Sequence, residues 1–233
     1  MNIFIRFFSF LVIAIVLTVS SKSFAQAPTA QSFEPSGGKG PGLLFVSGQG
    51  GPKLYVAVAK QFAAEGFHVS LIDGNDVFKP NNAGQPSFVA AISALQSSPK
   101  TQPGKIAVVG SSLGGGATMT YASRMPDQVA AAVVYYPYTA FIQKPDAFAK
   151  QIKVPTLVLA AVKDTYKDCC LIDMTRKLAA AAPKPMLQVV EYPQAEHNFN
   201  LEGPNMRQAD ADDALKRALA HLRAGLSVAA KSK

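Results

Sequence analysis

From Gly42 onward the chain alternates short apolar runs with longer stretches of helical periodicity, and this rhythm constrains the fold more than any other feature. The runs are residues 43–46, 67–72, 106–109, 129–136, 156–161 and 186–192. Their apolar residues stand at successive positions, as expected of strands covered by helices on both faces of a sheet. Residues 54–65, 87–97, 113–124, 170–182 and 211–226 have the length and periodicity of helices. Such an order builds parallel strands joined by right-handed crossovers. The expected class is therefore α/β: a doubly wound, mostly parallel sheet of about six strands with helices on both faces. Ligands of such a sheet bind beyond the carboxyl ends of its strands.

Residues 42–228 read as one domain, because neither composition nor patterning shifts midway. Residues 26–41, rich in Pro, Gly, Ser and Gln, carry no apolar periodicity and read as a flexible lead-in. Residues 1–25 hold an early cation, Arg6, an apolar run from Phe7 to Val19 and a polar stretch ending at Ala25. That layout is a secretory signal peptide cleaved before Gln26, and it places the mature protein in the periplasm or outside the cell. The apolar run is short of the roughly 20 residues that a bilayer crossing needs, so no stable membrane insertion is expected after cleavage.

Removing the leader takes away Arg6 and Lys22 and leaves a mature net charge of about +6. The remaining cations are scattered, with no stripe to follow a nucleic-acid backbone, so nucleic acid is not an expected partner. The two cysteines, Cys169 and Cys170, are adjacent. Neither has a distant partner with which to close a loop, so buried thiols are the first expectation and a vicinal disulfide the second. No metal site is expected, since His68, His197 and His221 stand in no ligand spacing with the pair. No cofactor motif is present either: neither glycine-rich stretch has the spacing of a nucleotide loop. Oligomeric state is not legible.

Gly110, Ser111, Ser112, Leu113 and Gly114 fit G-x-S-x-G directly after one apolar run and directly before a helix. A serine on a tight strand-to-helix turn is held in a strained conformation with its hydroxyl above the sheet, and flanking glycines let the turn close. Ser112 is the expected nucleophile. The N–H of Leu113, at the helix N-terminus, is the first expected oxyanion donor. The glycine-rich loop after the first run, residues 47–51, supplies the second, assigned to Gln49.

A serine hydroxyl needs a base, and the base needs an acid to hold its tautomer. His68 falls inside a strand and His221 inside the last helix, where satisfied structural histidines are the rule. His197 follows the last strand on a loop and is the expected base. Asp164, three residues past the run 156–161, is the expected acid; Asp168 competes but equally suits the cap of the next helix. Tyr136, Tyr138, Phe141, Tyr166 and Phe199 fall near strand ends and are candidates for an acyl pocket, with packing the expected role of at least half of them. The loop 137–150 is short for a lid, which points to an open site.

On the elbow 110–114, the pair Lys163, Asp164 and the final Glu196, His197, Asn198, Phe199, the chain resembles the dienelactone hydrolase family of α/β-hydrolases over residues 42–226. The resemblance implies a small, largely capless hydrolase in which Ser112, Asp164 and His197 act on a small-molecule ester or lactone through an acyl-enzyme. It also exposes departures. Members acting on dienelactone look to use a cysteine nucleophile and arginines for the substrate carboxylate. This chain has Ser112, and Arg207 is its nearest arginine after His197, which points away from dienelactone itself. Ala161 also replaces the glycine usual before the acid. Two other readings remain open: a peptidase or other acyl hydrolase on the same triad, and a non-catalytic homologue that uses the cleft for a ligand.

Overall fold

The computed structural model describes residues 26–231, so the expected leader lies outside the described residues. In chain order the elements are β1 (Ala30–Phe33), β2 (Gly42–Val46), α1 (Val56–Ala64), β3 (His68–Ile72), α2 (Gly74–Val77), α3 (Gln85–Ser97), β4 (Ile106–Ser111) and α4 (Leu113–Thr120). They continue with β5 (Val129–Tyr135), α5 (Pro145–Ala149), β6 (Thr156–Ala161), α6 (Ile172–Ala181), β7 (Leu187–Tyr192) and α7 (Gln208–Lys231). All seven strands form one sheet in the order β1-β3-β2-β4-β5-β6-β7. Only β1 runs antiparallel to its neighbour.

The apolar runs are continuous because alternate residues of each strand feed separate cores. Leu43 and Phe45 of β2, Val109 of β4 and Val133 of β5 pack with Val58 and Phe62 of α1 and with Ala214, Ala218 and Leu222 of α7. On the opposite face, Leu44, Val46 and Val108 meet Phe88, Ile92 and Leu95 of α3. Val134 and Val158 meet Met119 of α4 and Leu178 of α6 on the same side. A strand buried on both faces has no polar position to spare.

Two expectations need correction. The sheet has seven strands rather than about six, and the extra one, β1, lies within the stretch read as a flexible lead-in. Three of its four residues are exposed, so it shows no apolar period. It is held by its ladder to β3, by Phe33 packing on the core and by Ser32 Oγ at 2.9 Å from His68 Nε2. The other ring nitrogen of His68 lies 2.7 Å from Thr101 Oγ1, and burial holds this histidine below its usual pKa. His221 is likewise satisfied, by the carbonyl of Pro155 at 3.1 Å. Both therefore have the structural role expected of them.

The second correction concerns the cysteines. Cys169 and Cys170 form a disulfide rather than two buried thiols. Adjacency itself supplies the proximity, with Cα atoms 3.8 Å apart, once the loop after β6 sets both side chains toward each other. The preceding turn holds Lys167 and Asp168 at φ 50° and 51°, a local conformation that residue types alone do not announce.

Candidate active site

Every candidate group lies just beyond the carboxyl end of a parallel strand. Ser112 follows β4 with φ 51° and ψ −115°, an unfavourable conformation for a residue with a side chain. The backbone around it fixes the bend: its N–H donates to Tyr135 O at 3.0 Å, and its carbonyl accepts from Gly116 N at 3.0 Å and Tyr138 N at 2.8 Å. The bend also forces the chain against β2. A β-carbon at Gly114 would stand 2.2 Å from Val46 O and 2.5 Å from Ser47 O, both backbone atoms that cannot turn aside. Gly114→Ala is expected to destabilise the fold by about 3 kcal/mol or more, lowering Tm by about 6–12 °C. A thermal melt within about 2 °C of the parent would contradict that account of the elbow.

His197 and Asp164 meet as the sequence suggested. His197 Nδ1 lies 2.7 Å from Asp164 Oδ2, and both residues are buried. The second carboxylate oxygen, Oδ1, accepts from Tyr166 N at 3.0 Å, so the acid is fixed at both ends. Asp168, the competitor, is exposed on the turn beyond and is not the partner of His197. With Nδ1 given to the carboxylate, the imidazole keeps Nε2 as the nitrogen that can exchange a proton with a neighbouring group. Ser112 Oγ makes no hydrogen bond among the described residues; nucleophile and base often close up only when substrate is seated.

The loop after β2 runs close to the elbow, for a β-carbon at Gly48 would stand 3.2 Å from Ser112 Cβ. Neither Gln49 N nor Leu113 N donates to another described group. Gln49 is anchored from its carbonyl side instead, where it accepts from Asn75 Nδ2 at 3.0 Å. The same Asn75 amide also donates to Asp73 Oδ1 at 2.8 Å, tying the loop to the start of α2. Two free N–H groups near one serine can receive developing negative charge.

The expected aromatic lining divides. Phe199 is fully buried in the core with Tyr135 and Tyr192, so it packs the site from behind and does not line it. Tyr136 is also buried; its ring lies 4.8 Å from that of His197, and its hydroxyl donates to Asn200 Oδ1 at 2.7 Å. Burial drives its pKa well up, which keeps it neutral and a donor. Tyr166, by contrast, is 44% exposed and stacks on His197 at 4.6 Å with 17° between planes. Tyr138 is half-buried against Phe78 and Phe141. Of the four aromatics these two are the ones that keep exposed surface. A cavity of about 800 Å³ lies to one side, between the first turn of α1 and residues 198–208, with Leu54, Val58, Leu201 and Met206 in its walls.

Three supports escaped the sequence reading: Asn75, Asn200 and Asn205, whose Nδ2 donates to His197 O at 2.9 Å. Asn75 stands in the short α2 and the other two in loops, none with a motif around it; only the partner across the site gives each its meaning. The place of the cysteine pair beside His197 escaped too. The sulfurs of Cys169 and Cys170 and one ring nitrogen of His197 lie within 4.8 Å of one another, a grouping that spacing along the chain did not suggest.

Known proteins resemble this chain in sequence or in fold. The chain is 27% identical over 179 residues to protein usf of Aquifex pyrophilus, covering 63% of this chain and 76% of that protein. Est1E of Butyrivibrio proteoclasticus superposes with a TM-score of 0.66 at 14% identity, covering 85% of this chain and 94% of that one. Esterase 2 of Thermogutta terrifontis gives 0.64 at 17% identity, over 81% and 86% of the two chains. These likenesses establish the α/β-hydrolase fold. The match to the dienelactone hydrolase family model spans residues 70–226, from within β3 through the bend 110–114, Asp164 and His197 into α7. Since that stretch covers more than half of the chain and holds every strand after β3 and all three of Ser112, Asp164 and His197, the chain belongs to the dienelactone hydrolase family.

Proposed function

We propose that this chain is a serine hydrolase of carboxylic esters or lactones, exported through the leader 1–25, that works through an acyl-enzyme. The observation that carries this is the Asp164–His197 pair at 2.7 Å, set at the same sheet edge as a serine held at φ 51°. In the proposed order of events, Ser112 Oγ attacks the substrate carbonyl as its proton passes to His197 Nε2, and Asp164 stabilises the imidazolium. The carbonyl oxygen becomes an anion facing the free N–H groups of Leu113 and Gln49. His197 then gives its proton to the departing alkoxide, leaving Ser112 acylated. Water, deprotonated by the same nitrogen, releases the acid and restores the hydroxyl. Tyr138 and Tyr166 offer an apolar rim for a small substrate.

The fold neighbours support this reading. Esterase 2 of Thermogutta terrifontis is phosphorylated by paraoxon, and the corresponding chemistry here would fall on Ser112. The test is to purify the chain beginning at Gln26 and assay short-chain p-nitrophenyl esters and simple lactones. A fluorophosphonate should add one mass label to the peptide bearing Ser112. Turnover of amides in preference to esters would shift the assignment to a peptidase. Absence of any label on Ser112 would end it.

The clamp on Gln49 is separately testable. Asn75→Ala frees that peptide and is expected to lower kcat between about 10- and 100-fold with little change in KM, because the donor matters chiefly once charge develops. A rise in KM with kcat unchanged would show that the loop serves ground-state binding instead.

A further inference from the structure

We propose that Cys169, Cys170 and His197 form a binding site for a soft divalent cation such as Zn2+ when the vicinal disulfide is reduced, and that the bound ion switches off hydrolysis. The two sulfurs and one imidazole nitrogen already lie within 4.8 Å of one another. A tetrahedral Zn2+ has Zn–S of about 2.3 Å and Zn–N of about 2.0–2.1 Å, which puts neighbouring ligand atoms somewhat under 4 Å apart. The cluster therefore needs only small adjustments once the S–S bond opens.

The histidine is prepared for this role. Histidines that bind metals characteristically give their other ring nitrogen to a carboxylate, which fixes the tautomer and raises the basicity of the ligating one. Asp164 Oδ2, 2.7 Å from His197 Nδ1, provides that partner. The carboxylate that suits His197 to be a base also suits it to be a ligand. The loop is also held in place: Cys169 O accepts from Thr139 N at 2.8 Å and Ala140 N at 3.1 Å, while the neighbouring Tyr138 N donates to Ser112 O. The cysteine pair is thus tied by backbone to the segment that holds the nucleophile. Cys169 is half-buried, which leaves a path for a reductant.

The chemistry balances with a reductant of the phosphine or thiol class. A trialkylphosphine attacks one sulfur and the S–S bond breaks. Water then carries the phosphorus to its oxide, and two thiols result with two electrons transferred. The cation displaces the two thiol protons to solvent and takes the lone pair of His197. With Nδ1 engaged by Asp164, the nitrogen left for the cation is Nε2, the same atom that the esterase reading needs to accept the proton of Ser112, so metal binding and turnover exclude each other. In the disulfide state neither sulfur can bind as a thiolate, and the enzyme is indifferent to the ion.

The inhibition rests on the esterase reading above, but the site itself does not, and the experiment separates the two. The chain from Gln26 is reduced with a water-soluble phosphine and titrated with Co2+, with Zn2+ as competitor. The reduced protein should show a thiolate-to-cobalt charge-transfer band saturating at one ion per chain, bleached by Zn2+; the oxidised protein should show none. In parallel, about 10 µM Zn2+ should lower ester turnover at least about tenfold in the reduced protein only, with recovery on adding a chelator. The double variant Cys169→Ser, Cys170→Ser should lose the band, and its turnover, whatever its basal rate, should ignore Zn2+. His197→Ala should weaken Co2+ binding at least about tenfold. No band in the reduced protein, or a band of equal affinity in His197→Ala, would overturn the site. A band in a protein that hydrolyses no ester would keep the site and sink the enzymatic reading.

Discussion

Ser112→Ala is expected to lower kcat/KM toward a short-chain p-nitrophenyl ester by on the order of 10⁴- to 10⁶-fold, with little loss of stability. The size follows from the covalent step, since no other described hydroxyl sits on the bend between β4 and α4 with its carbonyl held by Tyr138 N and Gly116 N. The residual rate would come from the free N–H groups of Leu113 and Gln49, which an alanine leaves in place. Thermal stability should hold or rise slightly, because alanine keeps the positive φ but removes a polar group from a site only 6% exposed. Active-site titration with a fluorophosphonate, alongside steady-state kinetics, checks both halves. A variant that kept a tenth of the parent rate would move the nucleophile elsewhere.

What could be read beforehand follows the physics of each element. The strand 156–161 was legible to the residue because Thr156–Ala161 is buried on both faces, and burial writes itself as a continuous apolar run. The elbow was legible because its glycines are demanded by backbone contacts, such as that of Gly114 with Val46 O, which few other residue types tolerate. β1 was not, because an exposed edge strand draws its stability from the ladder to β3, and hydrogen bonding leaves no mark on composition. Phe199 and Tyr166 show the same limit among side chains. Both are aromatic and both lie near strand ends. The loop after β7 turns Phe199 into the core, while the turn after Asp164 leaves Tyr166 44% exposed over His197. The choice between them is made by tertiary contacts, as is which of Asp164 and Asp168 meets His197, where two hydrogen bonds hold Asp164 in place.

Those two bonds give the sharpest prediction, for Asp164→Asn is expected to lower kcat/KM by about 10³- to 10⁴-fold while preserving the shape of the site. The carboxylate accepts at both oxygens, from Tyr166 N at Oδ1 and from His197 Nδ1 at Oδ2. An amide has one acceptor and one donor, so it can satisfy only one of these partners. If its oxygen keeps Tyr166 N, its NH2 faces His197 Nδ1 and forces the proton onto Nε2, the atom that must take the proton from Ser112. If its oxygen keeps His197, its NH2 confronts the N–H of Tyr166 and a buried donor goes unpaired, at a cost of about 1–3 kcal/mol. Either arrangement also removes the negative charge that stabilises the imidazolium in the transition state. Exposed Asp168, changed to Asn, supplies the control and should leave the rate within about twofold. An Asp164→Asn variant that kept the parent rate would mean that the contact with His197 Nδ1 serves packing alone.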